Sequence, residues 1–307
     1  MQKFEVTILG CSSATPTSKR NPSAQLVNIA ERYFLVDCGE GTQVQLRRYK
    51  IKFQRISHIM ISHMHGDHYY GLMGLLSSLH LLGRTADLHL YGPSVLKEII
   101  DLQYKYSDTR LNYNLVFHPL QNEKQELIFE DDKLTVTTII LNHRIPCTGF
   151  LFREKEKHRK ITQQSISEFK IPVSEIHNIK EGKDFINRDG QKIPNEKITG
   201  GPVHSYSYAY CSDTCYDEKV IQQIKGVDTL YHEATFMEDM KDRAKDTFHS
   251  TTKQAGEVAL KAGVKELIIG HYSARYGDLQ PLLDETKTVF TNTVLAIEGE
   301  KYKVEPC

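Results

Sequence analysis

The sequence predicts an α/β protein in which two β-sheets pack face to face with helices on their outer sides. Three observations carry that prediction. Short β-rich runs, each ended by Gly, Asn or Asp, follow one another from the start of the chain. A second series of such runs fills the remainder, interleaved with segments of helical spacing. Two sheets of this kind bury one face against each other and the other under helices, which is the stable layering for them.

The first series reads as strands at 4–9, 24–29, 33–37 and 58–62. A helix over 69–82 follows from Leu72, Leu75, Leu76, Leu79 and Leu82, which recur at three- and four-residue steps. The second series predicts strands at 88–91, 115–120, 134–141, 206–210, 229–231 and 267–269, with helices at 94–106, 218–225 and 252–262. Between 153 and 197 the pattern lapses: 11 Lys/Arg stand against 8 Asp/Glu with scattered Pro and Gly. The stretch reads as an insertion projecting from the core, either a solvated loop of mixed charge or a basic arm for a polyanion.

With 307 residues the chain is long enough for a sizeable core. A 39% hydrophobic and 25% charged composition with a formal net charge of +0 is that of an ordinary globular protein. A globally basic nucleic-acid coat is excluded, while a local basic patch is not. The start enters strand-like alternation without an apolar leader, and no stretch reaches the ~18 apolar residues of a membrane span, so a cytoplasmic location is the expectation. Cys11, Cys38, Cys147, Cys211, Cys215 and Cys307 are too sparse for a disulfide scaffold, and Cys211 and Cys215, with no second pair, read as reduced packing residues rather than a zinc knuckle.

The densest chemistry lies in His63-Met64-His65-Gly66-Asp67-His68, directly after the apolar run Ile59-Met60-Ile61. Side chains two apart on an extended segment point the same way, so His63 and His65 can share one ion. Asp67 and His68, beyond the Gly66 bend, aim elsewhere and suggest a second. Three more donors end predicted strands: His143, Asp213 and His271. Singly, each suits a structural role. Together the seven exceed one tetrahedral zinc and suit two zincs with a shared carboxylate.

This pattern resembles the metallo-β-lactamase superfamily, and the resemblance implies a four-layer αββα sandwich. It implies further that His63, His65 and His143 hold one zinc, that Asp67, His68 and His271 hold the other, and that Asp213 bridges them. Asp37, in Val36-Asp37-Cys38-Gly39, matches the superfamily's early strand-end aspartate, which would hold a ligand imidazole in one tautomer; a turn-forming Asp before Gly is the other reading.

The superfamily fixes the chemistry and leaves the substrate open. His232-Glu233-Ala234-Thr235, Phe248-His249-Ser250-Thr251 and His271-Tyr272-Ser273-Ala274-Arg275-Tyr276, in that order, resemble the ribonuclease Z family. So do the start Gly10-Cys11-Ser12-Ser13-Ala14-Thr15-Pro16 and the turn Asp37-Cys38-Gly39-Glu40-Gly41-Thr42, so the resemblance spans nearly the whole chain. Taken alone, Ser250 or Thr251 reads as a cap for the helix near Thr252. Two departures stand out. Lys19 in Pro16-Thr17-Ser18-Lys19-Arg20-Asn21 falls one place later than the family's pattern, and Ile171-Pro172-Val173-Ser174-Glu175-Ile176-His177 replaces a Gly/Pro-rich arm tip.

The resemblance implies one catalytic domain over 1–307 with a tRNA-binding exosite arm inserted at about 153–200. It implies an endoribonuclease that removes the 3′ trailer from precursor tRNA, leaving a 3′-hydroxyl on the tRNA and a 5′-phosphate on the trailer, and a homodimer as the assembly. Two zincs would activate a water for in-line attack, Asp67 would accept its proton, and His249, oriented by Glu233, would protonate the leaving 3′-oxygen. The rival readings are a general zinc phosphodiesterase on the same scaffold and a non-catalytic RNA-binding subunit.

Overall fold

The computed structural model describes residues 3–304; Met1, Gln2 and 305–307, with Cys307, lie outside the described residues. The first sheet uses β1 (Phe4–Gly10), β2 (Ala24–Ile29), β3 (Arg32–Val36), β4 (Ile56–Met60), β5 (Leu88–Gly92) and β6 (Leu115–Pro119). The second uses β7 (Leu127–Glu130), β8 (Leu134–Leu141) and β9 (Cys147–Glu154). A small hairpin of β10 (Phe185–Ile186) and β11 (Lys192–Ile193) comes next in the chain. The second sheet then adds β12 (Ser207–Cys211), β13 (Thr229–Glu233), β14 (Glu266–Gly270) and β15 (Thr293–Leu295), and β16 (Lys301–Lys303) returns to the first.

The two sheets have matching plans. The first runs β16-β1-β2-β3-β4-β5-β6, antiparallel as far as β3 and parallel from there. The second runs β15-β14-β13-β12-β9-β8-β7, parallel as far as β12 and antiparallel beyond. Ligand sites of open parallel sheets lie at the carboxyl ends of the strands. Here β3, β4, β12, β13 and β14 bring those ends, and the loops that follow them, to one edge of the sandwich.

Strand alternation builds the layers. Phe34, Val36 and Met60 face inward and pack in one cluster with Phe150, Phe152, Tyr208 and Tyr210 of the second sheet. Their neighbours Leu35 and Ile59 face outward onto Leu72, Leu75, Leu76 and Leu79. Each such buried side chain contributes ~1.5–3 kcal/mol. The helix Thr252–Ala262 starts at a capping box, with Thr251 accepting from the Gln254 amide, and stops at Gly263 with φ of 65°. Its Ala255, Val258 and Ala259 cover the second sheet, giving four layers, helix–sheet–sheet–helix.

Several expectations are corrected. The helix foreseen over 69–82 is two pieces, Gly66–Tyr69 and Leu72–Leu81. The break lies at Gly71, whose amide donates to the Cys38 carbonyl at 2.9 Å, while a Cβ there would sit 2.1 Å from the Gly39 carbonyl oxygen. Close backbone approach, invisible to leucine spacing, interrupts the helix. The strand β9 also went unforeseen, because all but Arg153 of its residues are buried and they show no alternation.

β9 runs to Glu154, and the segment that follows is no featureless loop. Its legs pair Lys157 with Val203 and Ile161 with Thr199, in the register set by Arg153 and Ser207 between β9 and β12. The stalk thus prolongs the sheet ladder. Beyond it, the helices Gln163–Glu168, Val173–Lys180 and Asn195–Ile198 and the β10–β11 hairpin enclose their own apolar cluster of Ile171, Ile179, Phe185, Ile193 and Ile198. No described helix is long and apolar enough to cross a membrane.

Candidate metal centre

All seven predicted donors meet at the edge where the parallel strand ends converge. Ligand-type atoms of His63, His65, His143 and Asp213 lie within 4.8 Å of one another, and so do those of Asp67, His68 and His271. His63 Nε2 is 3.0 Å from His65 Nδ1, which is 3.2 Å from His143 Nε2. In the second group His68 Nε2 is 3.3 Å from His271 Nε2, and Asp67 Oδ2 is 3.4 Å from the latter. Asp213 lies between them: Oδ1 is 3.3 Å from His68 and 3.2 Å from His271, while Oδ2 is 3.6 Å from His63.

The turn carrying His65 to His68 is clamped in place. The Cys38 amide donates to the His68 carbonyl at 2.7 Å, and Gly39 runs so close to the Asp67 carbonyl that a Cβ would meet it at 2.4 Å. The Ala14 amide donates to Asp67 Oδ2 at 2.8 Å. Four non-glycine residues here adopt left-handed backbone, Ala14 at φ 60°, Asp37 at 56°, Phe248 at 59° and His271 at 57°. Such conformations persist where the surroundings over-determine them, and they cluster at functional sites.

Hydrogen bonds on the outward nitrogens set which nitrogen faces the cluster. His68 Nδ1 lies 2.7 Å from Asp37 Oδ2, an acceptor, so Nδ1 carries a proton and Nε2 is the nitrogen turned to the cluster. His143 Nδ1 donates to the Phe248 carbonyl at 3.0 Å with the same result. His63 Nδ1 donates to Ser62 Oγ at 3.0 Å, and Ser62 Oγ in turn donates to Asp37 Oδ2 at 2.9 Å. Tyr210 Oη adds a further hydrogen bond to Asp37 at 2.7 Å. Asp37 is therefore the imidazole-holding carboxylate of the two readings open to it. Sequence reasoning missed Ser62 and Tyr210; the only signal was that Ser62 adjoins His63.

The charge balance suits cations. Asp37 and Asp213 are buried and the Asp67 side chain is 8% exposed, and among the described residues no Lys or Arg pairs with them. Burial opposes a charge on His68, yet Asp213, Asp67 and Asp37 outweigh it and raise its pKa well above the ordinary value. Burial likewise opposes a charge on Asp67, but the positive charge of His68 and hydrogen bonds from His271 and His68 hold its carboxyl far below the usual range. Three carboxylates thus demand positive charge at a point ringed by imidazole lone pairs, and a divalent ion meets that demand.

Glu233 and His249 sit beside this cluster. His249 Nδ1 is 2.8 Å from Glu233 Oε1, which also accepts from the Thr214 amide at 2.8 Å. Burial pushes the His249 pKa down, but the Glu233 carboxylate more than compensates and lifts it to about 9. Burial pushes Glu233 up, and the charge and hydrogen bond of His249 bring it below its ordinary value. With Nδ1 engaged, Nε2 is the nitrogen left to exchange a proton. Thr251 caps its helix, while Ser250 Oγ donates to the Thr214 carbonyl at 2.7 Å.

A cleft of about 770 Å³ opens onto the cluster, lined by His65, Asp67, His143, Asp213 and His249 together with Arg144 and Arg243. The two arginines can pair with an anionic group, although Glu40 and Asp246 stand on the same walls. Cys11, Cys38, Cys147, Cys211 and Cys215 are free thiols, as expected.

Comparison with known proteins places this architecture. A family model described as Anti-Pycsar protein Apyc1 matches residues 4–291. The ribonuclease Z of Bacteroides thetaiotaomicron is 48% identical over 299 residues, covering 97% of this chain and 95% of that protein. The crystal structure of human tRNase Z, short form, superposes with a TM-score of 0.71 at 26% identity, over 98% of this chain and 99% of that one. The metallo-β-lactamase fold protein YhfI from Bacillus subtilis shares the fold, with a TM-score of 0.69 at 20% identity over 98% and 99% of the two chains. The chain belongs to the ribonuclease Z family, endoribonucleases built on the metallo-β-lactamase fold, and falls within the family that the Apyc1 model describes.

Proposed function

We propose that the protein is a zinc-dependent endoribonuclease that removes the 3′ trailer from precursor tRNA. The observation that carries the reading is the meeting, at one cleft, of seven donors in two groups about Asp213 with the paired His249 and Glu233. His63, His65 and His143 would hold one zinc, Asp67, His68 and His271 the other, with Asp213 shared. When bound, two zincs lower the pKa of a water toward ~7 and neutralise charge on the scissile phosphate.

The chain's own groups do the rest. Asp67, fixed by the Ala14 amide, receives the proton of the attacking water. His249, held by Glu233, delivers a proton from Nε2 to the departing 3′-oxygen of the tRNA. Arg144 and Arg243 at the cleft draw in the phosphate backbone. Products are a tRNA with a 3′-hydroxyl and a trailer with a 5′-phosphate.

The inserted segment is the arm that grips the tRNA body. Lys155, Lys157 and Lys160 line a cavity at its root, and Lys170, Arg188, Lys192 and Lys197 line a cleft near its tip. Lys160, Lys170, Arg188 and Lys197 make no ion pair among the described residues, which leaves them free for phosphates. A homodimer would cover Val95, Ile99, Leu102 and Tyr106, an exposed apolar row on the helix Ser94–Tyr106. A cytoplasmic site of action goes with the tRNA substrate.

A general phosphodiesterase would use the same centre and leave the arm without a role; a silent RNA-binding subunit would leave seven filled donor positions without one. Incubating the zinc-loaded protein with a precursor tRNA and, in parallel, with bis(p-nitrophenyl) phosphate tests the reading. Trailer removal is expected; hydrolysis of the small ester with untouched tRNA would move the assignment to the general phosphodiesterase.

A further inference from the structure

The carboxylate that holds His249 also reaches a second imidazole. Glu233 turns Oε1 to His249 and Oε2 to the hydroxyl of Thr235, at 2.6 Å. The same hydroxyl lies 3.0 Å from His271 Nδ1 and 3.0 Å from the His271 carbonyl oxygen. Thr235 and Glu233 are both buried, at 2% and 0% exposure, so water does not substitute for either.

The single hydroxyl proton has one dominant acceptor. A carboxylate oxygen at 2.6 Å outcompetes a peptide carbonyl at 3.0 Å, so Thr235 donates to Glu233 and its lone pairs face His271. His271 Nε2 is the nitrogen turned to Asp67, Asp213 and His68. For Nε2 to present a lone pair there, Nδ1 must carry the proton, and Thr235 Oγ1 is the acceptor that receives it. The threonine hydroxyl therefore fixes the tautomer and the ring plane of His271.

We infer that Thr235 is a positioning residue, through which one buried carboxylate, Glu233, orients both the proton donor His249 and the metal-side imidazole His271. Asp37 supplies a parallel: it holds His68 directly and His63 through the Ser62 hydroxyl. In both places a hydroxyl relays a carboxylate to a second ring. The inference rests on the metal-centre part of the proposed function.

Metal retention tests it without RNA. Wild type, Thr235→Val and Thr235→Ser are loaded with zinc, and transfer to a chromophoric chelator is followed together with zinc content per chain. Loss of an outer hydrogen bond to a ligand imidazole weakens metal binding by about tenfold or more. Thr235→Val is expected to release one class of zinc that much more readily, while Thr235→Ser, which keeps the hydroxyl, holds zinc as wild type does. Circular dichroism of the metal-free proteins checks folding, and Thr235→Ala takes the place of Thr235→Val if the latter does not fold.

Wild-type retention by the hydroxyl-free variant overturns the inference. So does equal release by the Ser and Val variants, because the Ser variant would then lose zinc with its hydroxyl in place. A protein whose zinc depends on the Thr235 hydroxyl but which leaves precursor tRNA uncut refutes the RNA-processing reading alone. One that cuts tRNA and holds zinc regardless of Thr235 refutes this inference alone.

Discussion

Glu233 Oε1 lies 2.8 Å from Nδ1 of His249, and it belongs to a carboxylate with no exposure to solvent. A buried carboxylate at that distance keeps an imidazole protonated at neutral pH, which is the state a proton donor needs. The alkaline limb of kcat/KM should therefore fall through about 9, where His249 titrates. In Glu233→Gln the limb should move down toward about 6.5. A pH–rate profile on both proteins checks this, and an alkaline limb unmoved by the substitution would detach Glu233 from the proton donor.

The donor matters only when the leaving group needs a proton. His249→Ala should lose about 10²- to 10⁴-fold on precursor tRNA, whose departing group is an alkoxide. On bis(p-nitrophenyl) phosphate, whose p-nitrophenolate leaves unprotonated, the loss should be far smaller. Equal losses on the two substrates would remove His249 from that role.

Architecture of the insertion dictates how to remove it. Cutting within one leg would leave half a stalk; replacing 158–202 by a short Gly/Ser turn keeps the Lys157–Val203 bridge and the sheet below it. This variant should hydrolyse the small ester as wild type does while kcat/KM on precursor tRNA drops steeply. Matching losses on both would make the segment structural.

Acid stability has a separate source in the first sheet. His58 packs between His89, at 5.0 Å between ring centroids, and Phe129 at 4.7 Å. Burial, then the neighbouring His89 and His118, lower its pKa to about 4. The folded state thus binds fewer protons than the unfolded one between about 6.5 and 4, so stability is full above 6.5 and falls as pH drops through that window. By pH 5 the loss from His58 is about 2 kcal/mol. His58→Phe should lose that much less between pH 7 and 5 in urea unfolding; parallel losses in the two proteins would place the acid sensitivity elsewhere.

Much of the centre was legible because its donors crowd into His63 to His68 or stand one residue beyond apolar runs, as His143, Asp213 and His271 do. Alternating and apolar runs likewise revealed most strands, including the wholly buried β2, β12 and β13, while the partly exposed β7, β16 and the helix Gln280–Lys287 passed unnoticed. β9 escaped because it shows no alternation, and the helix break at Gly71 escaped because its cause is the Gly39 carbonyl, distant in sequence. The hydroxyls of Ser62 and Thr235 and the amide of Ala14 were beyond reach for the same reason. A serine, a threonine or a peptide N–H has no sequence signature until the fold puts an imidazole or carboxylate against it.

The most direct test of the central claim is to map the ends left when the zinc-loaded protein cuts a precursor tRNA bearing a 3′ trailer. Attack by water in line with the 3′-oxygen predicts a single cut at the trailer junction, with a 3′-hydroxyl on the tRNA and a 5′-phosphate on the trailer. A 2′,3′-cyclic phosphate on the tRNA, with a 5′-hydroxyl on the trailer, would mean that the ribose 2′-oxygen is the nucleophile and would contradict the account.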